Sequence, residues 1–295
     1  MPHVPVLLKE VLEYLDPKPG SFAIDGTADG GGHAEAILEK LTPQGTLLAL
    51  DWDREVLEEC KKYLRNPKNV IFVQANYADV ASVVRKKKLP KADSLLLDVG
   101  FSSLQTDQLG RGFSFKKERG DEPLLMTYND ETKPVKDILR EISEEELANI
   151  IRELGGERLA GRVARVIKEE VRRRRIETSG ELADIIRKVL PRGYERGRID
   201  PATRTFQALR IYANQELENL KKVLSEIPEI MNSGGRVAVI SFHSLEDKIV
   251  KQAFKTLEKE GGWKIITKKP VPPTRQEILE NVRSRSAKLR IIEKM

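Results

Sequence analysis

Short apolar runs and amphipathic stretches alternate along the first hundred residues. The runs "FAI", "GTLLALD" (Gly45 to Asp51), "NVIFVQA" (Asn69 to Ala75) and "DSLLLDV" (Asp93 to Val99) are apolar nearly throughout, as strands buried on both faces of a parallel sheet must be. Between them, Ala34 to Leu41, Glu55 to Leu64 and Ala78 to Lys87 carry helical periodicity. The alternation predicts an α/β fold. From residue 108 to residue 200 there is no convincing strand, and "ISEEELANIIREL" and "ERLAGRVARVIKEEVRRRR" read as amphipathic helices. Ser143 with Glu146 three residues on makes a capping box. Strand character returns at "GRVAVISF" (Gly235 to Phe242), between a long helix over "FQALRIYANQELENLKKVL" and another over "SLEDKIVKQAFKTLEK". "GWKIIT" and "AKLRIIEK" then supply two last strands across the loop "KKPVPPTR". The expected architecture is one mostly parallel seven-stranded sheet built from residues 1–107 and 201–295, interrupted by a helical domain at 108–200.

Composition narrows the class without naming a chemistry. Of 295 residues, 33% are charged and 5% aromatic, and no apolar run approaches the roughly 20 residues of a spanning helix. The start, "MPHVPVLLKEVLEYL", does not read as a signal peptide, so the cytoplasm is the expected compartment. A single cysteine, Cys60, excludes an intramolecular disulfide, and histidines scattered at His3, His33 and His243 argue against structural zinc. The net charge of +6 is modest, but its distribution is uneven. Arg158, Arg162, Arg165, Lys168 and Arg172 to Arg175 face only Glu169 and Glu170 in sequence, and a second basic excess runs from Lys264 to Lys294. Arg158, Arg162 and Arg165 recur at helical spacing opposite Leu159, Val163, Val166 and Val171, a stripe suited either to RNA phosphates or to plain solvation.

Candidate chemistry concentrates in "DGTADGGGH", Asp25 to His33, between the first strand and the first helix of the sheet. Starting from Gly30, the dinucleotide pattern G-x-G-x-x-G breaks at Glu35, and no Lys-Ser or Lys-Thr follows the glycines as a P-loop requires. An acid ending the first strand (Asp25), bare backbone, and an acid ending the second (Asp51) suit a nucleoside without a pyrophosphate, with Asp51 taking the ribose hydroxyls. S-adenosylmethionine is the expected ligand of that kind. The competing reading is a tight strand-to-helix turn with Asp25 as a cap.

Seven stretches, "PVLLKEVLEYL", "DGTADGGGH", "LLLDVGFSSLQTD", "RGFSF", "PATRTFQALRIYANQEL", "RVAVISFHSLEDKIVK" and "RSRSAKLR", resemble in order those of the bacterial RsmH (MraW) family. That family methylates the N4 amine of a cytidine in the decoding region of 16S rRNA in the small ribosomal subunit, using S-adenosylmethionine. The resemblance implies a Rossmann-like class I methyltransferase fold with the helical insertion serving substrate recognition. It implies that Gly31, Gly32 and His33 line the cofactor site, that Asp51 holds the ribose and Tyr77 packs by the adenine, and that Asp98 and Gln105 complete the pocket. Two departures stand out. Asp29 occupies a position where the family usually has glycine, though aspartate tolerates left-handed backbone better than most residues. "PLLMT" replaces the family's "PLDMR", putting Leu125 for an acid and Thr127 for a base.

Methyl transfer to a weakly nucleophilic cytosine amine asks chiefly for alignment. Asp98, or a backbone carbonyl of "DVGFSS", is the expected group orienting the amine. His243, just past a strand end, is the other catalytic candidate, weighed against a capping role; His33 is weighed likewise, its ring capping the helix start. The sequence lacks the proline-containing motif of DNA amine methyltransferases. Arg172, Arg173, Arg174 and Arg175, with Arg192, Arg196, Arg198 and Arg204 of "RGYERGRIDPATR", are candidate RNA contacts. Phe101, Phe113 and Phe115 are candidates either to receive a flipped base or to pack the core. A homodimer is an expectation the sequence leaves open. The alternatives are a methyltransferase of this architecture acting on another nucleic acid and a non-catalytic ribosome-assembly factor.

Overall fold

Each apolar run is a strand in the computed structural model, which describes residues 4–100, 110–116, 119–191, 194 and 199–295. Up to residue 100 the order is α1 (Leu8–Leu15), β1 (Phe22–Asp25), α2 (Gly32–Leu41), β2 (Thr46–Asp51), α3 (Arg54–Tyr63), β3 (Val70–Gln74), α4 (Val80–Lys86) and β4 (Ala92–Asp98). There follow α5 (Val135–Glu141), α6 (Glu144–Gly155), α7 (Ala160–Arg173), α8 (Ser179–Val189), α9 (Thr203–Ala213) and α10 (Glu216–Ile230). The chain closes with β5 (Met231–Ser241), α11 (Ser244–Glu260), β6 (Trp263–Ile265), α12 (Arg275–Glu280) and β7 (Lys288–Lys294).

The seven strands form one sheet in the order β3-β2-β1-β4-β5-β7-β6. All neighbours among the first five are parallel, while β7 runs antiparallel to both β5 and β6. Both faces are covered. In β4, Leu95 and Leu97 join a cluster with Leu220, Val223, Val250 and Phe254, whereas Leu96 points into a second cluster with Val11, Ala34, Ile37 and Cys60. Burial on both sides is why these strands read as continuous apolar runs instead of alternating. Chain order reverses between β1 and β4, so their carboxyl ends flank a topological switch point, where open α/β sheets bind ligands.

The chain divides into two compact units, Met1–Ser102 with Leu217–Met295, and Ser103–Glu216. The second boundary falls at Glu216 instead of residue 200. α9 packs on α6, where the backbone of Gly155 lies so close to the Arg204 carbonyl that an added Cβ would collide with it. The helix expected as one over "FQALRIYANQELENLKKVL" is two. Buried Asn214 donates to the Met126 and Arg210 carbonyls and accepts from Tyr128 N–H, and Gln215 turns the chain at φ 51°. Within the helical unit, Ser143 caps α6 by accepting from Glu146 N–H, but the expected box is half made, because the Glu146 side chain accepts from Tyr212 OH instead of from the cap backbone.

Lys168 belongs to the basic run in sequence but not on the surface. It is buried, and its ammonium donates to the carbonyls of Leu139 (2.7 Å) and Arg140 (3.3 Å) and to that of Ile142, closing the carboxyl end of α5. Burial, then the nearby Arg172, lowers its pKa. The buried face of α7 is Ala160, Val163, Ala164, Ile167 and Lys168, leaving Arg158, Arg162, Arg165 and Arg172 to Arg175 exposed in and around that helix. Lys168→Met keeps the aliphatic stem and removes three charge-assisted bonds. It should lower stability by about 2–3 kcal/mol in denaturant melts, whereas Arg172→Ala should change it by less than about 0.5 kcal/mol.

Candidate active site

Three strands of the switch region end in aspartate: Asp25 on β1, Asp51 on β2 and Asp98 on β4. The loop that follows β1 is laced between its neighbours by main-chain bonds. Gly26 N–H donates to the Leu96 carbonyl and Ala28 N–H to the Leu50 carbonyl, at 2.9 and 2.7 Å. Thr27 N–H donates to Asp25 Oδ1 (3.1 Å), and Thr27 Oγ1 accepts from Asp98 N–H (2.7 Å). Asp29 N–H donates to Asp51 Oδ2 and Asp53 N–H to Asp51 Oδ1, at 3.0 and 2.9 Å. The loop therefore holds the carboxylates of Asp25 and Asp51 and the backbone of Asp98, and Asp29 enters it at φ 43°, the left-handed backbone expected of that position.

The electrostatics are one-sided. Asp25 is fully buried while Asp51 and Asp98 keep partial exposure. Among the described residues, no lysine or arginine pairs with any of the three. Burial is the largest influence on each: it raises Asp25 to about 7 against the backbone bond from Thr27, and Asp51 to about 8 against bonds from Asp53 and Asp29. Asp98 is pushed well above the carboxylate range by burial and then by Asp29, Asp25 and Glu246. Asp29 repels all three. Asp25 Oδ2 and Asp98 Oδ1 are buried without a hydrogen-bond partner. Orphaned acceptors, and acids that keep their protons for want of a nearby cation, suit a ligand that brings cationic and hydrogen-donating groups. S-adenosylmethionine, with a sulfonium, an ammonium and two ribose hydroxyls, fits that donor set.

The structure brings most of the expected cofactor residues together. Tyr77 follows Asn76, whose side chain accepts from Ala78 N–H and sets a short turn beyond β3. Its Cβ lies 3.4 Å from where a Cβ on Gly26 would be. Gly31, at φ 90°, faces Cys60 and Tyr63, and a Cβ on Gly32 would come within 2.9 Å of the Pro5 ring. Both glycines thus have a packing reason to be bare on one side. The ring of His33 does not cap α2, whose start has no side-chain cap. Instead His33 is buried, with Nε2 2.9 Å from the Val6 carbonyl and Nδ1 3.7 Å from Asp98 Oδ2. Gln105 lies outside the described residues, as do Phe101, Arg192, Arg196 and Arg198.

His243 is the N-cap of α11. Its Nδ1 accepts from Glu246 N–H at 3.4 Å, and Glu246 Oε2 accepts from the backbone N–H groups of Phe242 and His243, completing a capping box with an unusual cap residue. Nε2 lies 3.0 Å from Glu246 Oε1 without hydrogen-bond geometry. In the helical unit, Phe113 stacks on Tyr128 and Phe115 packs on Phe206, with centroids 5.5 and 4.7 Å apart. Leu124, Met126 and Thr127 of "PLLMT" are buried there. Arg204 donates to the Gly156 carbonyl. Arg173, Arg174 and Arg175 are exposed with Glu170, Glu181 and Glu177 nearby, while Arg172 has no ion pair among the described residues. Sequence reasoning missed Thr27, which ties β1 to β4, and Val6, which holds His33. Neither lies in a spacing pattern that distinguishes it from an ordinary turn or strand residue.

Comparison with known proteins places this geometry. The family described as the MraW methylase family matches residues 1–295. A protein of Syntrophus aciditrophicus (strain SB) named Ribosomal RNA small subunit methyltransferase H is 42% identical over 310 aligned positions, covering 99% of this chain and 98% of that one. A protein of Clostridium botulinum (strain Kyoto / Type A2) with the same name is 40% identical over 309 positions, covering 99% of each. Among solved structures, one described as an rRNA-methylase from Clostridium thermocellum superposes with a TM-score of 0.50 at 11% identity, over 99% of this chain and 100% of that one. That last likeness speaks for the α/β fold alone.

The raised acids make stability fall with pH. A carboxyl that holds its proton longer in the fold than in the unfolded chain ionises at the fold's expense between the two values. For Asp25 and Asp51 that window runs from 3.8 to about 7 and about 8. The melting temperature of the ligand-free protein should therefore decline from pH 5 to pH 8. Asp25→Asn, which keeps the Thr27 acceptor, should flatten that decline and melt at least about 2 °C higher than the parent at pH 8. Equal slopes would show that Asp25 is not the strained group.

Proposed function

Because this chain belongs to the MraW methylase family, we propose that it transfers the methyl group of S-adenosylmethionine to the exocyclic N4 amine of a cytidine in the decoding region of 16S rRNA. The observation that carries the site assignment is the uncompensated acid cluster at the ends of β1, β2 and β4. The names of the relatives, small-subunit rRNA methyltransferases at 40–42% identity, support the RNA as substrate. The working compartment is the cytoplasm, where small subunits are assembled; no helix among the described residues is long and apolar enough to cross a membrane. Neither the fold nor the relatives' names add support for a homodimer.

When bound, the cofactor supplies a methyl group already activated on a positively charged sulfur. The protein's own work is to hold, align and balance charge. Asp51, whose two oxygens are fixed by Asp29 and Asp53 N–H, has lone pairs left to accept the ribose hydroxyls. Tyr77 lies against the turn at Gly26 and offers its ring to the adenine. Gly32, partly exposed between buried Gly31 and His33, offers its backbone to the methionine end, and Gln105, which lies outside the described residues, is assigned to the same pocket by the family resemblance. With the positively charged cofactor beside it Asp98 is ionised, and its Oδ1, buried and unpartnered among the described residues, accepts a hydrogen bond from the cytosine amine. That bond localises the nitrogen lone pair, and the same carboxylate takes the proton released after attack. His243 holds the start of α11 near the carboxyl end of β5 and acts as a positioning residue for that wall. On the helical unit, Arg172 to Arg175, with Arg198 and Arg204, contact RNA phosphates.

Incubating the protein with labelled S-adenosylmethionine and either intact small subunits or naked rRNA, then resolving nucleosides by mass, should give N4-methylcytidine. A methylated product on another nucleic acid would indicate a relative with a different substrate. No product anywhere, with subunit binding intact, would indicate an assembly factor. Asp98→Ala should lower kcat at saturating cofactor by about 100-fold or more. Weaker cofactor binding with normal turnover at saturation would confine Asp98 to binding. Replacing Arg172 to Arg175 with alanine should flatten the salt dependence of subunit binding, and an unchanged slope would remove that run from the interface.

A further inference from the structure

We propose that the segment Lys268 to Arg285, on the sheet unit, is a second RNA-phosphate surface, separate from the α7 arginines. The inference rests on the rRNA reading above and adds where the sheet unit itself grips the RNA backbone.

Between Thr267 and Ala287 there are five basic residues and two acids, a net +3, and the two acids are held by neutral donors. Glu277 Oε1 accepts from Leu7 N–H at 2.7 Å, and Glu280 accepts from the Gln276 side chain. Lys268, Lys269, Arg275 and Arg285 are exposed, and among the described residues none of the four forms an ion pair. Three other cations of the C-terminal excess are held by the fold. Lys288 and Arg290 bind Asp247, and Lys294 donates to the Pro228 and Met231 carbonyls. The contrast with α7 is direct, because Arg173, Arg174 and Arg175 each sit by a glutamate. Four exposed cations of the C-terminal segment thus stand without the close carboxylates that accompany Arg173, Arg174 and Arg175.

The surface is also held in place. Pro270, Pro272 and Pro273 restrict the backbone, Val271 exchanges both main-chain bonds with Leu289, and Thr267 Oγ1 accepts from Ile291 N–H. A fixed array of cations loses less entropy on binding than a mobile tail. Its position is set by residues 4–7. The Asn281 side chain donates to the Val4 carbonyl and Glu277 holds Leu7, while Pro5 lies against Gly32 and the Val6 carbonyl meets His33. Phosphates bound on this segment would lie beside the glycine loop, as a strand delivering a base to that loop requires. Exposed Leu279 (75%) and Val282 (71%) in the same segment give a sugar or an unstacked base an apolar contact.

The test uses the full chain carrying Lys268→Ala, Lys269→Ala, Arg275→Ala and Arg285→Ala together, titrated with a small-subunit rRNA fragment from 50 to 300 mM salt. With about 0.7 lost from the slope of log K against log salt per phosphate contact, the slope should fall by about 2–3. Affinity at the lowest salt should fall at least tenfold, while calorimetric cofactor affinity stays at the parent value. Unchanged slope and affinity would overturn the proposal. Normal rRNA binding with lost binding to intact subunits, reproduced by Leu279→Ser with Val282→Ser, would also overturn it and assign the face to a ribosomal protein. If the parent protein neither bound nor methylated rRNA, the functional reading itself would fail; methylation by the parent with an unchanged variant slope removes only this surface.

Discussion

Removing a carboxylate from water without a cation beside it costs several kcal/mol, and the sheet does this at the ends of three strands. The carboxylates of Asp25 and Asp51 are oriented by backbone N–H groups and the backbone of Asp98 is tied to Thr27, with no lysine or arginine among the described residues pairing with any of the three. The rest of the unit serves that placement. Two apolar clusters lock the sheet, the loop after β1 is stitched to β2 and β4, and the chain reversal between β1 and β4 leaves a cleft above the acids. A site of this kind trades ligand-free stability for affinity toward a positively charged ligand.

Asp29 sharpens the arrangement. It takes up left-handed backbone, as a glycine would, and adds negative charge facing all three strand-end acids. The glycines after it are constrained from behind, by Tyr63, Cys60 and Pro5. A side chain at either position would push the loop forward into the cleft.

The sheet was legible because its strands are buried on both faces, so their runs stand out from the helical periodicity between them. The helical unit was legible as helices but not in its limits. One buried side chain, Asn214, breaks what periodicity reads as a single helix, and α9 joins α6 through a glycine contact that no spacing rule announces. Charge was the least legible property. A linear count gives Lys168 the same weight as Arg172, yet the first is a buried cap for three carbonyls and the second is exposed. Likewise Glu246 makes His243 a helix cap through bonds from backbone N–H groups, so a histidine at a strand end need not face the reacting atoms.

The acid cluster favours the positive charge of the cofactor. Isothermal titration of the protein with S-adenosylmethionine and with its demethylated, uncharged thioether product, from pH 6 to pH 8.5, isolates the sulfonium charge, since the two ligands share every other group. As Asp25 and Asp51 ionise, with pKa values of about 7 and about 8, affinity for the charged ligand relative to the neutral one should rise steadily with pH. A ratio independent of pH across that range would contradict the electrostatic basis of the site.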